Sequence, residues 1–326
     1  MSFDIFGIEN GCIDLNVCIE KFPEKNRGQR VKDMTWQGGG KVSTGMAAAA
    51  RLGAKGTLVG SFAKDAYGRF LYKDFLDHGV DLSGSKIRED GVTSMSVVVS
   101  ERETSTRNIF FKPGGLGPMK YEEVDWSLLK QAKYLYISQT RDEIIRDAMK
   151  IAHDNGVKVF IDADFQENLR ENIPNIDVFV GSEFCFDAMF PGAKEKGLDH
   201  LEAEVQQVRD MGPEIVLFTF GEKGLIGKSP EDGYFRVPAF QVDAVDTVGA
   251  GDVFHGAYVA ALLEGKSAKE AAVMASATSA IKCTRIGGRA GIPNRETLEK
   301  YLTTGVIDYE EIDRRVEYYR RAMDYV

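Results

Sequence analysis

The sequence predicts an α/β fold in which helices cover both faces of a mostly parallel central sheet. From about Ala132 onward, strand-like and helix-like segments alternate, which is the pattern of parallel βαβ units. Extended segments in the first third of the chain predict a second, smaller sheet. The 326 residues are enough for one large α/β domain or for two smaller ones.

The predicted small sheet comes from four alternating apolar segments near the start of the chain. The two at 95–99 and 108–111 are separated by a polar loop, which is typical of an antiparallel hairpin. All four segments together place the small sheet at about 12–36 and 93–112. They are 13–19, 30–36, 95–99 and 108–111.

The remaining elements alternate along the chain and predict the central sheet. Predicted strands lie at 3–8, 56–60, 134–138, 157–162, 176–180 and 215–220. Predicted helices lie at 42–52, 69–78, 142–154, 201–211 and 253–263. Small residues follow several strand ends, and ligands of such sheets bind beyond those ends. We therefore expect one cleft lined by Gly40, Ser138, Gly181, Gly221 and Gly249.

Composition limits the class of partner. The net charge of −9 argues against nucleic acid and against an anionic membrane surface. The four cysteines show no CxxC spacing, which argues against a disulfide framework or a zinc site and favours a cytoplasmic protein. No apolar run approaches the ~18 residues of a membrane span. We expect small molecules as the partners.

The stretch 246–252, Asp-Thr-Val-Gly-Ala-Gly-Asp, is the most informative motif. Its glycines stand between an extended segment and a helix, where unpaired helix N–H groups suit an anion. Asp252 would repel a phosphate, but it suits a base that takes a proton from a hydroxyl. The motif therefore predicts a phosphoryl-transfer site with Asp252 as the base and Gly249, Ala250 and Gly251 as an anion hole.

A second glycine run precedes another helix. Residues 38–40 are all glycine and are followed by Lys41 and an alanine-rich segment, so a backbone could approach a ligand closely there. The alternative is a flexible loop. Asp14 lies within an extended segment, either as a solvent-facing residue of an edge strand or as an acceptor for ligand hydroxyls. No Walker A loop with a following helix, HExxH or GxSxG motif occurs.

These two motifs resemble the two signatures of the PfkB, or ribokinase-like, family of sugar and nucleoside kinases. The resemblance covers nearly the whole chain. It implies a single kinase domain over 1–326 with a three-layer α/β/α architecture and a small β-sheet lid. It further implies ATP-dependent transfer of the γ-phosphoryl group to a hydroxyl of a ketose or furanose-type sugar, with Mg²⁺ as a cofactor and K⁺ as a further candidate. We expect a homodimer formed through the lid.

The same resemblance assigns roles to individual residues. The sugar would contact Asp14, Gly39, Gly40, Lys41 and Thr44. ATP would contact Ser182, Thr219, Gly221, Gly224 and Gly251. A monovalent cation would be bound by Asp246 and the carbonyl of Val248, with backbone oxygens of Lys282, Arg285, Gly287 and Gly291.

The chain departs from the family pattern at two places. Thr44 stands where many members carry Asn, and Cys185 stands where the N-x-x-E motif has its glutamate. Glu183 is an alternative carboxylate for Mg²⁺. Thr44 and the segment 282–293 are most similar to a bacterial branch that includes sulfofructose kinase. Arg141, with Arg27, Arg30 and Lys112, is a candidate for binding an anionic end of a sugar. A nucleoside kinase and a non-catalytic sugar or nucleotide sensor are the alternatives.

Overall fold

The computed structural model describes residues 3–104 and 106–325, so Ser105 of the predicted lid lies outside the described residues. The strands are β1 Ile5–Ile8, β2 Cys12–Ile19, β3 Asp33–Gly39, β4 Gly56–Val59, β5 Ser61–Ala63, β6 Lys86–Arg88, β7 Met95–Glu101, β8 Thr106–Lys112, β9 Tyr134–Ile137, β10 Lys158–Ala163, β11 Val178–Ser182, β12 Ile215–Thr219, β13 Leu225–Ser229 and β14 Gly233–Val237. The helices are α1 Lys41–Arg51, α2 Ala66–Asp77, α3 Trp126–Lys130, α4 Glu143–Asp154, α5 Leu169–Asn172, α6 Glu183–Met189, α7 Glu202–Arg209, α8 Ala250–Leu263, α9 Ala268–Cys283, α10 Arg295–Thr304 and α11 Glu310–Arg320.

The central sheet has eight strands in the order β14-β13-β12-β11-β10-β9-β1-β4. The six from β12 to β4 are parallel, and β13 and β14 add an antiparallel edge. The mostly parallel sheet is therefore confirmed. All six parallel strands present their carboxyl ends at the same edge, where the predicted ligand loops follow them.

Helices cover both faces of this sheet and create two hydrophobic cores. On one side α1, α8 and α9 pack together, and on the other α4, α6 and α7 pack against the strands. Along β9, Tyr136 points into the first core while Leu135 and Ile137 point into the second. Burial of both faces explains why these strands are continuous apolar runs in the sequence. The three-layer α/β/α prediction is confirmed.

The small sheet has four strands in the order β3-β2-β7-β8. It agrees with the predicted segments but extends further, because Gln37, Gly38 and Gly39 belong to β3 and only Gly40 lies outside the strand. Gly38 and Gly39 are needed because a side chain at either strand position would collide with a neighbouring group. A Cβ on Gly38 would lie 2.2 Å from Nη1 of Arg289, and a Cβ on Gly39 would lie 2.2 Å from Oδ2 of Asp14.

A wholly buried arginine connects the small sheet to the helical layer. Nη1 of Arg289 lies 2.6 Å from Oδ2 of Asp74 in α2, and Nη2 donates to the carbonyl of Gly39 at 3.0 Å. The guanidinium also stacks 4.4 Å from the ring centre of Phe75. The Gln37 amide oxygen accepts the main-chain N–H groups of Arg289 and its successor. The loop 286–291 is thereby fixed beneath β3.

The charged and aromatic tail packs on its own chain. Ile312, Val316 and Tyr319 of α11 are buried, and the Tyr319 hydroxyl donates to Asp74. Arg315 donates to the carbonyl of Ala290 at 2.9 Å. The last long helix thus packs against both the loop 286–291 and β3.

Two further observations bear on the environment of the protein. The four cysteines are free thiols, and three of them are buried. Within residues 3–104 and 106–325, no helix combines the length and apolarity that crossing a membrane requires.

We expect Arg289→Met to lower the free energy of unfolding by about 3–5 kcal/mol, because it leaves the Asp74 carboxylate buried without its ion-pair partner. Denaturant unfolding followed by circular dichroism measures the change. The control is Arg320→Met, which removes an exposed partner of Asp33 and should cost less than about 1 kcal/mol. Equal losses in the two variants would contradict this role for Arg289.

Candidate active site

The predicted ligand loops meet at the carboxyl edge of the parallel strands. Ser182 at the end of β11 is the register partner of Thr219 at the end of β12. Gly181 is likewise paired with Ala163 of β10. Three loops predicted from separate parts of the sequence are therefore neighbours in space, as expected from parallel strands.

The glycine-rich turn begins α8. Gly249 caps the helix with φ of 70°, and a Cβ there would lie 2.8 Å from the Cα of Gly288. The amide of Ala250 donates to the carbonyl of Thr247 at 3.2 Å, so it closes the turn. Gly251 is exposed, with open space around its Cα, and first-turn amides have no acceptor within their helix. The anion hole predicted for residues 249–251 stays a prediction, and the Ala250 amide is already engaged within the turn.

Asp252 lies in the first turn of α8 beside other charged groups. Burial, and after it the nearby Asp162 carboxylate, raise its pKa to about 8 against the opposing effect of the Lys41 ammonium. A carboxylate with a raised pKa is a stronger proton acceptor once it is ionised. This is the property expected of a general base.

Lys41 lies between acidic residues. Its Nζ is 2.6 Å from Oδ2 of Asp164 and 3.4 Å from Oδ1 of Asp162. Burial lowers the pKa of Lys41, but Asp162, Asp252 and Asp164 outweigh it and hold the pKa above its ordinary value. The raised pKa favours the charged form of the ammonium that is predicted to contact the sugar. The sequence analysis assigned no role to Asp162 and Asp164, although they form an Asp-Ala-Asp sequence at the end of the buried strand β10.

His255 in the second turn of α8 is buried. Its Nδ1 lies 2.6 Å from the carbonyl of Gly251, and its Nε2 lies 3.3 Å from the carbonyl of Val180. Nδ1 is also 3.5 Å from Oδ2 of Asp162, an atom without a hydrogen-bond partner among the described residues. The imidazole therefore joins the start of α8 to β11 and helps to set the position of the first turn.

The predicted sugar side is built around Asp14 and Gly39. The Asp14 carboxylate packs over the Cα of Gly39 and accepts from Sγ of Cys12 at 3.3 Å. Burial raises the pKa of Asp14. Gly40 caps α1 with φ of 97°, and Oε2 of Glu9 accepts the third amide of that helix at 2.8 Å. The start of α1 is therefore occupied by a carboxylate of the chain itself.

Two other predicted sugar contacts lie in different settings. Thr44 is buried, and its Oγ1 lies 3.5 Å from Nε of Arg289, so its hydroxyl belongs to the packing around that guanidinium. Arg141 is exposed in the loop that joins β9 to α4. This loop follows the carboxyl end of a parallel strand, and the contact of Arg141 with a ligand stays a prediction.

The predicted nucleotide loop is a tight turn between β12 and β13. Gly221 and Gly224 have φ of 54° and 86°, and a Cβ on Gly224 would lie 2.2 Å from the carbonyl of Val237. Thr219 ends β12 directly before it. Ser182 accepts the amide of Cys185 at 3.3 Å and so caps α6. The ATP contacts assigned to these loops stay predictions.

The position of the missing family glutamate is a buried thiol. Cys185 is wholly buried, and Glu183 is engaged by the ammonium groups of Lys194 and, at 3.9 Å, of Lys223. Among the described residues no cluster of three metal-binding side chains occurs. Mg²⁺ typically takes only one or two carboxylates in addition to substrate phosphates. The site therefore fits an ion that arrives with the nucleotide, with Asp162 and its free oxygen as a carboxylate able to hold it.

The predicted monovalent-cation loop contains a side-chain ammonium. Nζ of Lys282 lies 2.9 Å from the carbonyl of Asp246 and also hydrogen-bonds the carbonyl of Val248. Gly287 presents its N–H to Oδ2 of Asp246. The guanidinium of Arg285 pairs with Asp313.

The structure adds to this loop a charged group that the sequence analysis did not assign. The Lys282 ammonium already uses the carbonyls of Asp246 and Val248, while the backbone oxygens of Lys282, Arg285, Gly287 and Gly291 stay predicted ligands. A Cβ on Gly291 would lie 2.3 Å from the Lys282 carbonyl, so that glycine is needed for close packing against the end of α9. As they stand, these residues do not fit a metal ion between the carbonyls of Asp246 and Val248.

Comparison with known proteins agrees with this architecture. Residues 4–295 match the pfkB family carbohydrate kinases. Ribokinase of Haemophilus influenzae is 30% identical, covering 80% of this chain and 86% of that protein. ATP-dependent ribose-1-phosphate kinase of Halopiger xanaduensis is 27% identical over 89% and 95% of the two chains. 5-dehydro-2-deoxygluconokinase of Bacillus subtilis is 24% identical, covering 92% of this chain and 96% of that protein.

Solved structures share the fold. Arabidopsis thaliana ribokinase complexed with ribose and ATP superposes with a TM-score of 0.77 at 23% identity, covering 93% of this chain and 99% of that one. A ribokinase II candidate from E. coli in complex with ATP and Mg²⁺ superposes with a TM-score of 0.78 at 19% identity, covering 92% of this chain and 99% of that one.

The chain belongs to the pfkB family of carbohydrate kinases. It is a sugar kinase, a phosphotransferase whose acceptor is an alcohol group.

The charges around Asp252 predict opposite pH shifts in two variants. The kcat/KM profile reports the free enzyme, and a base is active when deprotonated, so activity should rise with pH through about 8. Lys41→Met removes the charge that lowers the Asp252 pKa, so the midpoint of this rise in kcat/KM should shift to higher pH by on the order of one unit. Asp162→Asn removes a charge that raises the Asp252 pKa, so the midpoint should shift to lower pH.

The control for these pH profiles is Lys73→Met, which removes an exposed lysine paired with Asp77. We expect no displacement in that variant. Shifts of the same sign in the Lys41 and Asp162 variants would contradict Asp252 as the titrating base.

Proposed function

We propose that the protein transfers the γ-phosphoryl group of ATP to a hydroxyl of a ketose or furanose-type sugar, with Asp252 as the general base. The observation that carries the proposal is the position of Asp252. It lies in the first turn of α8, next to the exposed glycine of an anion-binding turn and within the influence of Lys41. A base beside an anion-binding turn is the combination that hydroxyl phosphorylation needs.

The reaction is a displacement at phosphorus. The acceptor hydroxyl loses its proton to the Asp252 carboxylate, its oxygen bonds to the γ-phosphorus, and the bond to the β–γ bridging oxygen breaks to release ADP. Amides at the start of α8 stabilise the charge on the transferred group. When bound to the nucleotide, Mg²⁺ supplies neutralisation of the phosphate charge. Lys41 lowers the pKa of Asp252 and so favours its ionised form, and we place it on the acceptor side.

The nucleotide assignment rests on the loops after β11 and β12. Ser182, Thr219, Gly221 and Gly224 line neighbouring strand ends, and the tight turn leaves backbone groups accessible for phosphates and base. The E. coli and Arabidopsis structures of this fold were solved with ATP, the former also with Mg²⁺. We propose ATP and Mg²⁺ for this chain on that basis.

The acceptor is the finer part of the proposal. The relatives are named for ribose, ribose-1-phosphate and 5-dehydro-2-deoxygluconate, so both neutral and anionic acceptors occur at this level of similarity. Asp14 supplies a carboxylate for sugar hydroxyls, since it packs over Gly39 next to the second glycine turn. Arg141 is the group placed to meet an anionic end, such as the phosphate of a sugar phosphate or the sulfonate of sulfofructose.

Two alternatives from the sequence have less support. A non-catalytic sensor would not need an ionisable base with a raised pKa beside Lys41. A nucleoside kinase would need an apolar cage for the base. Phe110 and Phe111, the aromatic pair available for one, are largely exposed on the outermost strand β8.

We expect Asp252→Asn to lower kcat by about 10²–10⁴-fold, because the variant has no base for the acceptor hydroxyl. ATP affinity should change little, since the nucleotide loops lie after β11 and β12. A coupled ADP assay across neutral ketoses, aldoses, sugar phosphates, sulfosugars and nucleosides identifies the acceptor first. Calorimetry then measures ATP binding in both proteins.

The matched control is Asp243→Asn, which removes an exposed acid a few residues before the motif. It should retain wild-type turnover. Near-native turnover in Asp252→Asn would overturn the assignment of the base, and nucleosides as the best acceptors would favour the nucleoside kinase.

We propose that a homodimer forms through β8. This strand is the edge of the small sheet, and all of its residues are exposed, including the consecutive apolar residues Ile109, Phe110 and Phe111. An uncovered edge with apolar side chains favours pairing with another strand. A second copy is the natural occupant, because one self-complementary patch closes a two-fold dimer.

We expect Phe110→Ser to shift the protein from dimer to monomer in analytical ultracentrifugation, because it removes a large apolar contact from the pairing edge. Phe184→Ser is the control, since Phe184 is 81% exposed but lies on α6, away from the small sheet. An unchanged dimer in Phe110→Ser, or a monomeric wild type, would count against this interface.

A further inference from the structure

A buried ammonium is fixed directly before the anion-binding turn. Lys282 lies in the last turn of α9, and its side chain has no exposed surface. Its Nζ hydrogen-bonds the carbonyls of Asp246 and Val248, which both belong to the loop that enters α8. An ammonium has three N–H donors and no acceptor, so it can hold two carbonyls at once.

The surroundings of this ammonium are built for a positive charge. The carboxylate of Asp246 lies in the same loop and accepts from the Ser100 hydroxyl at 2.8 Å, the Val248 amide at 2.9 Å and the Gly287 amide at 2.8 Å. The end of α9 adds the partial negative charge of its last carbonyls. One buried cation is thus balanced by one hydrogen-bonded carboxylate and a helix terminus, which makes its burial tolerable.

We propose that Lys282 is a built-in cation that takes the place of a bound monovalent metal ion, so that turnover does not require potassium. The family resemblance predicts such an ion against Asp246 and the carbonyl of Val248. Lys282 already uses the carbonyls of both residues. A metal ion at the same oxygens would meet the ammonium at close range, and like charges in a buried site repel strongly.

The ammonium acts on the anion-binding turn through one peptide unit. The carbonyl of Val248 and the N–H of Gly249 belong to the same peptide group. A positive charge on that oxygen polarises the group and strengthens the N–H as a donor. Lys282 is thus a positioning residue: it fixes the loop and increases the donor strength of the amide at the start of α8, without touching the substrate. This role rests on the proposed phosphoryl transfer.

The first test uses the wild-type protein. We expect kcat and kcat/KM to be the same, within about twofold, in buffers containing only potassium, sodium or choline at equal ionic strength. Activation by potassium of about tenfold or more would overturn the proposal. Absence of turnover with every acceptor in every buffer would instead contradict the proposed function, so the two failures are distinguishable.

The second test removes the Lys282 side chain and leaves its volume open to a cation from solution. Lys282→Ala should lose about 10²-fold in kcat in choline buffer, comparable to the loss of one oxyanion donor, and should regain at least about tenfold with potassium or ammonium ions. Lys282→Met fills the same space without charge, so it should show the loss without the rescue. Lys266→Ala, at a partly exposed site before α9, is the control for a lysine without this role.

Thermal unfolding gives a readout that is independent of turnover. Potassium should raise the Tm of Lys282→Ala relative to choline, but it should not change the Tm of wild type or Lys282→Met. If the alanine variant folds only when potassium is present, the same conclusion follows. If the alanine and methionine variants lose kcat equally and potassium changes neither the kcat nor the Tm of either variant, the role of Lys282 is purely structural and the proposal is overturned.

Discussion

The cleft depends on one buried guanidinium. Arg289 pairs with Asp74 of α2, donates to the carbonyl of Gly39 in β3 and stacks on Phe75. The small sheet, the helical layer and the loop after α9 therefore share a single charged centre. Because a buried charge without a partner is costly, none of these elements can move away without a large penalty. The position of Asp14 over Gly39 follows from this arrangement.

The chemistry of the cleft depends on the balance of charges at the carboxyl edge of the sheet. Three acids, Asp162, Asp164 and Asp252, act on the Lys41 ammonium. A second ammonium, Lys282, hydrogen-bonds the loop that enters α8. Burial makes Asp252 a stronger base, and the lysine opposes that shift enough to keep ionisation accessible near neutral pH. Both effects require the dry interior that the two helical layers create.

Some sequence predictions identified contacts that the tertiary structure changed. The glycine run at 38–40 was interpreted as a close approach to a ligand, with a flexible loop as the alternative, whereas Gly38 and Gly39 are strand residues whose missing side chains make room for Arg289 and Asp14. Thr44, predicted to contact the sugar, also packs against Arg289. Local pattern shows that a residue is small or polar, but it does not show which distant group fills the adjacent space.

By itself, the sequence determined the α/β class, the two sheets and the motif that contains Asp252. These features depend on periodicity, on turn residues and on a short contiguous stretch, all of which are local. Only the tertiary structure decided the partners of Lys41 and the occupant of the loop before Gly249. Lys282 is separated by 36 residues from Asp246, and its side chain meets that loop only because α9 packs on α8. A buried ammonium and a backbone ligand look identical in sequence, since side-chain direction is set by packing between helices.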